Sequence, residues 1–242
     1  QYNRPDFIEH DPISIPHQYD LKEDIEIVSF LTATISWGKR TMILKSAEKM
    51  MNIMGSSPHD FVMSYSDHQK PLLDGFVHRT FNPIDLDFFF QSLQNIYANH
   101  GGMEKVFKAG VNEEGVLDSI SHFKKVFFSI EHPQRTQKHV GDPDKGSVAK
   151  RINMMLRWLC RKDNNGVDFG IWDSISPSLL SCPLDVHSGN VARDLGLITR
   201  KNNDLKALAE LDTHLRILDP NDPTKYDFAP FGVGESGELR NS

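Results

Sequence analysis

The sequence predicts an all-α protein with two helical lobes, from three observations. Apolar residues recur at i, i+3, i+4 and i+7 in six separate stretches. No segment of useful length alternates apolar and polar residues with the Val, Ile, Thr and aromatic enrichment of a strand. Glycines and prolines fall between the periodic stretches rather than inside them.

Taken in order, the first helix is expected at about 23–37, on Ile25, Val28, Leu31 and Ile35, and Gly38 stops it. The second, 40–54, carries Ile43, Leu44, Ala47, Met50 and Met51 and ends at Gly55 and Pro58. Helices at 85–99 and 115–129 follow, bounded by Pro71, Pro83, Gly101-Gly102 and His132-Pro133. A polar stretch at 131–146, rich in Gly, Pro, His and Lys, reads as a long loop, a length usually reserved for function. The fifth helix, about 147–162, buries Ile152, Met155, Leu156 and Leu159 on one face. Lys150, Met154, Arg157 and Arg161 are expected on the other. Asn164-Asn165-Gly166 breaks it, a helix is expected to begin near Val186, and the last periodic stretch is 203–218.

Composition narrows the class. The chain has 242 residues, 38% hydrophobic and 25% charged, which fits a globular domain and excludes disordered or collagenous sequence. Its apolar runs are far shorter than the roughly 20 residues a membrane span needs, and nothing in Gln1–Pro5 resembles an export signal. Two cysteines, Cys160 and Cys182, cannot supply a four-thiolate zinc or iron-sulfur site, so no cofactor is expected. That cysteine usage fits a reducing, cytoplasmic setting.

The formal charge is −6, which by itself argues against a protein that coats nucleic acid. Residues 134–162 run against that average. Eight basic residues face two acidic ones there, for a segment at +6 in a chain whose remainder is −12. Such a segment is either a solvated helix face or an anion site. Lys150 falls in the first turn of its helix, where the dipole disfavours a cation unless an anion is held or the amine's pKa is lowered. His59-Asp60 and Asp212-x-His214 invite a metal-phosphohydrolase reading, but no further ligands follow at matching spacing.

One constellation carries chemistry. Cys182-Pro183-Leu184-Asp185-Val186-His187 followed by Val191-Ala192-Arg193-Asp194-Leu195-Gly196-Leu197 resembles the catalytic-aspartate motif of the helix-hairpin-helix DNA glycosylases, the superfamily of endonuclease III and the oxoguanine glycosylases. Lys150-Arg151-Ile152-Asn153-Met154-Met155-Leu156 resembles the helix that carries the nucleophilic lysine in its bifunctional members, and the two matches occur in the family's order. Phe30–Gly38 is similar to the first long helix of that fold. Asp222–Gly232 is similar to the closing segment of an uncharacterised bacterial family related to archaeal-type 8-oxoguanine DNA glycosylases.

The resemblance implies a two-lobed fold. Residues 1–37 and 166–242 form one lobe and 38–165 the other, with the lysine and the aspartate in the cleft between them. It implies a base-excision repair glycosylase with AP lyase activity, acting as a monomer on double-stranded DNA that holds a damaged base, 8-oxoguanine above all, or an abasic site. Lys150 is then the nucleophile and Asp185 the assisting carboxylate. Gly146, Ser147, Arg151, Arg157, His187 and Trp37 would contact DNA, and Trp172, Phe228 and Phe231 would wall the base pocket. Read on its residue type alone, Asp185 is equally an N-cap of the helix beginning at Val186. Capping and catalysis are compatible.

The sequence departs from the family at the hairpin before the lysine, where Gly141-Asp142-Pro143-Asp144-Lys145-Gly146-Ser147 replaces a Leu-Pro-Gly-Val-Gly type of turn. Two aspartates near a phosphate would repel it, and Lys145 becomes a rival nucleophile. A non-catalytic DNA- or protein-binding module on the same fold is the alternative these departures leave open.

Overall fold

The computed structural model describes residues 5–162 and 164–227. Phe228 and Phe231, expected to wall a base pocket, lie outside the described residues. Within them the chain is helical, with only two isolated bridges, His78 with Phe81 and Asn112 with Gly115. The α-helices are α1 Lys22–Ile35, α2 Arg40–Met54, α3 Pro58–Met63, α4 Pro83–His100, α5 Met103–Ala109, α6 Leu117–Phe127, α7 Lys150–Cys160, α8 Val186–Asp194 and α9 Leu205–Leu218. No described helix is long and apolar enough to cross a membrane.

The described chain divides into two compact units. One comprises 8–110 and 122–140, the other 5–7, 111–121 and 141–227. This division differs from the 37/38 and 165/166 boundaries the sequence suggested. Helix α1 belongs with α2 to α5, and the lysine helix α7 belongs with the aspartate segment. The reason lies in packing. From Asp24 onward α1 is buried on every side, which requires neighbours all round, and α2 and α3 supply them.

In the first unit, aromatic rings knit α1, α4 and the end of α6 together. Phe30 stacks on Phe89 at 5.6 Å and meets Phe123 and Phe127 edge-on at 5.3 and 5.2 Å. Helix α4 starts on a capping box in which Asn82 and Asp85 satisfy each other's amides. The fully buried Asp85 carboxylate also faces Arg135 at 3.1 Å and His139 at 3.3 Å. His59-Asp60 lies in the first turn of α3, behind Pro58 at the first helical position. Among the described residues no group of three His, Cys, Asp or Glu side chains is placed to hold a metal.

In the second unit the core is formed by Cys182, Leu184, Ala192, Ile198, Ala207, Leu208, Leu211 and Leu215. Helix α7 buries Ile152, Met155, Leu156 and Leu159 as its periodicity predicts, but also Asn153, Arg157, Trp158 and Cys160. Residues 166–172 wrap its end. Phe169 and Gly170 donate to the Trp158 carbonyl, and Trp172 donates to that of Leu159. Gly170 is required there, since a Cβ would stand 2.6 Å from that of Lys162.

Candidate active site

Helix α7 begins at Lys150, preceded by a tight turn. Gly146 adopts a left-handed φ of 85° and Ala149 a φ of 45°. Gly141 packs so closely on Ala149 that a Cβ would lie 2.9 Å from its Cα, and Ser147 Oγ accepts the Ala149 amide. The altered hairpin is therefore a compact turn that delivers Lys150 at the start of its helix. Lys145, the rival amine, points elsewhere: its side chain is 74% exposed and 3.7 Å from Asp142.

Asp185 is the N-cap of α8. One carboxylate oxygen, Oδ1, accepts the amides of His187 at 2.8 Å and Ser188 at 2.9 Å, while Ser188 Oγ accepts the Asp185 amide. The other oxygen, Oδ2, stands 3.2 Å from Lys150 Nζ. Burial acts to raise the Asp185 carboxyl, but the Lys150 charge and the Ser188 bonds prevail and hold it below the ordinary carboxylate value. The two side chains are 30% and 29% exposed, so the pair is accessible from solvent. Residues 35 positions apart thus meet, and both belong to the same compact unit. The sequence drew the pair from two lobes; here α7 and the segment leading to Asp185 fall in one unit.

A fixed backbone aims Asp185. Its carbonyl accepts Asn203 Nδ2 at 2.6 Å. Asn203 reaches it because residue 189 is glycine, where a Cβ would stand 2.5 Å from Asn203 Oδ1. On the other side the Cys182 amide donates to the buried Asp212 at 2.9 Å. The Cys182 thiol, kept protonated by burial, donates to Asp227 Oδ1 at 3.6 Å. Burial raises the Asp227 carboxyl against the charges of Arg157 and Lys150. The hydrogen-bonding roles of Asn203, Asp212 and Asp227 escape a sequence reading because isolated polar residues have no period. The one signal for Asn203 is a glycine inside a helix, which costs roughly 1 kcal/mol against Ala and so points to close packing.

The other expected site residues separate into groups. Gly146 is exposed and Ser147 is partly so, on the turn before α7. Arg151 is partly buried, and burial pulls its guanidinium down to about 10. His187 is exposed in the first turn of α8. Arg157 does not face solvent, a correction to the expected DNA contact. It is 5% exposed and paired with Asp168 at 3.4 Å and with Asp227, because the 166–172 wrap and the segment after α9 cover that face of α7. Arg161 is equally enclosed, between Asp168 and Asp222, each at 3.0 Å. Trp172, 1% exposed, is part of the core rather than a pocket wall. Trp37 belongs to the other unit, edge-on to His78 at 5.0 Å and stacked on His139 at 6.1 Å.

A family model described as a protein of unknown function (DUF2400) matches residues 11–236, and the chain belongs to that family. No curated protein and no solved structure matches it.

Proposed function

We propose that the protein is a DNA base-excision repair glycosylase with AP lyase activity, and that 8-oxoguanine is its preferred lesion. The observation that carries this reading is the Lys150–Asp185 pair: an amine and a carboxylate 3.2 Å apart, partly exposed, on the two sequence motifs that resemble the glycosylase lysine and aspartate. The lesion preference rests on the likeness to archaeal-type enzymes alone.

The chemistry follows from the residue types. Positive charge builds on the sugar as the glycosidic bond breaks, and the Asp185 carboxylate stabilises it. Lys150 passes a proton to Asp185 Oδ2 and its amine attacks the anomeric carbon. The base departs with the bonding electrons and takes the proton that Asp185 received, which restores the carboxylate. Opening of the sugar ring gives an iminium on Lys150. Loss of a proton from the neighbouring sugar carbon then expels the 3′ phosphate, and water releases the lysine. The target nucleotide must leave the base stack for its sugar to reach both groups. The exposed lysines Lys145 and Lys162, in the same unit as the pair, supply phosphate-facing charge, so binding weakens as salt rises.

Incubation with duplexes carrying 8-oxoguanine or an abasic site, followed by borohydride, tests the reading by trapping the iminium as a stable amine. The expected result is a covalent adduct, abolished in Lys150→Ala and kept in Lys145→Ala. Absence of both adduct and base release overturns the enzyme and leaves a binding module on this fold. An adduct lost only in Lys145→Ala moves the nucleophile.

A further inference from the structure

Asp185 stands three residues beyond a stretch whose backbone is held from one side by a single helix. On α9, Arg216 Nε donates to the Ser178 carbonyl at 3.2 Å and Nη2 to that of Leu180 at 3.1 Å. One turn earlier on the same helix, Asp212 Oδ1 accepts the Cys182 amide at 2.9 Å, and the carboxylate is also bonded to the Ser181 side chain. Residues 178, 180, 181 and 182 are each gripped, and no strand partner is present to do so. Pro183 then fixes φ, Leu184 is buried in the core, and the next residue is Asp185.

Asp212 and Arg216 line a cavity of about 340 Å³ together with Asn112, Glu114, Asp118 and Ser181. Their bonds to 178–182 hold the two side chains at the edge of that cavity. Burying a carboxylate for a structural purpose alone is costly, because desolvation penalises the charge. Burial pushes Asp212 up to about 6. An apolar residue of similar size would fill the position at less cost but could not accept the Cys182 amide.

We propose that Asp212, with Arg216, is a positioning residue of the Lys150–Asp185 site: the pair clamps residues 178–182 so that Asp185 Oδ2 is held opposite Lys150 Nζ. This deepens the glycosylase reading and rests on it for its consequence in catalysis, but the clamp itself is a statement about geometry. Asp212 touches neither reacting group. It acts through the Cys182 amide and the two residues that follow. A displacement of about 1 Å at the carboxylate is enough to cost one to two orders of magnitude in rate.

The test compares Asp212→Ala, Asp212→Asn and Arg216→Met in the full chain by three readouts. The first is the titration of the Asp185 carboxyl by carbon NMR, which needs no activity. In Asp212→Ala it is expected to rise toward the ordinary carboxylate value as Lys150 recedes. In Asp212→Asn, whose amide oxygen still accepts the Cys182 N–H, it is expected to stay depressed. The second is hydrogen exchange at Cys182, His187 and Ser188, expected to speed up about tenfold or more in Asp212→Ala and not in Asp212→Asn. The third is the rate of borohydride trapping at saturating abasic duplex, expected to fall about tenfold or more in Asp212→Ala with DNA affinity within about twofold, and to be restored in Asp212→Asn. If Asp212→Ala does not fold, Arg216→Met, which removes the two carbonyl contacts and keeps a carboxylate for the Cys182 amide, decides on the same readouts. A folded Asp212→Ala or Arg216→Met protein in which the Asp185 titration and the three amides are unmoved overturns the clamp. A wild-type protein that yields no adduct while its Asp185 titration responds to Asp212→Ala overturns the repair reading and leaves the clamp standing.

Discussion

Lys150 Nζ faces one oxygen of Asp185 while the other oxygen of the same carboxylate closes the first turn of α8. The division has a physical consequence. A carboxylate tied down through Oδ1 by two amides has little freedom to turn, so Oδ2 is presented to the amine at a fixed distance, and the helix end and the reactive pair share a single side chain.

The two roles of Asp185 separate by substitution. Asp185→Asn keeps an oxygen for the His187 and Ser188 amides and is expected to hold thermal stability to within about 0.5 kcal/mol, whereas Asp185→Ala forfeits the cap and costs about 1 kcal/mol. Both are expected to lose base release and lyase activity. Calorimetry beside a nicking assay checks this, and a stable Asp185→Asn with full activity excludes the carboxylate from the chemistry.

The ion pair also leaves a signature in acid. A carboxyl held below its unfolded value contributes stability that is complete above about pH 4 and is lost as pH falls through the lower folded value. Lys150→Met removes the attracting charge, so the Asp185 carboxyl is expected to move up and the acid limb of stability to shift with it. Denaturant midpoints measured between pH 2 and pH 5 for both proteins read the change.

Asp212 has the opposite sign. Its folded value of about 6 lies above the ordinary 3.8, so the folded protein binds the proton more tightly. Its contribution to stability is present below about pH 4 and is lost as pH rises through 6. The full span is at most about 3 kcal/mol, because a tenfold difference in proton affinity between the folded and unfolded chains is worth roughly 1.4 kcal/mol. Asp212→Asn, uncharged at every pH, is expected to be more stable than the parent at pH 8 and to lose that advantage by pH 4. Urea titrations at the two pH values check it.

Arg157 is expected to be the most sensitive cation of α7. Arg157→Leu leaves the buried Asp227 without its guanidinium and Asp168 with Arg161 alone, and a broken buried pair costs about 3–5 kcal/mol. Loss of folding, rather than a weaker salt dependence of DNA binding, is the expected phenotype. A folded Arg157→Leu protein with uniformly weakened DNA affinity would restore the arginine to a DNA-facing role.

Gly189→Ala probes the other anchor of Asp185. The added methyl displaces Asn203 from the Asp185 carbonyl, while the helix gains up to about 1 kcal/mol in propensity. Stability is expected to change by less than about 1 kcal/mol while adduct formation slows, a split that thermal melts and single-turnover trapping resolve.

The apolar period of 25–35, 40–54 and 152–159, punctuated by Gly and Pro, was enough to place α1, α2 and α7 to within a few residues, because a helix announces its buried face locally. The aspartate at the start of α8 and the lysine at the start of α7 were legible for the same reason: caps and first turns are defined by neighbours in sequence. The sequence could not say that residues 166–172 fold back over α7, and so it placed Arg157 in solvent and Trp172 at a pocket. Whether a charged residue on a helix is exposed depends on what else lies against that face, and here the covering segment lies beyond a break at Asn164–Gly166. The 3.2 Å approach of Lys150 to Asp185, and the grip of Asp212 and Arg216 on 178–182, likewise belong to the tertiary structure. They join groups some 30 to 40 positions apart through single hydrogen bonds, which leave no periodic trace in the chain.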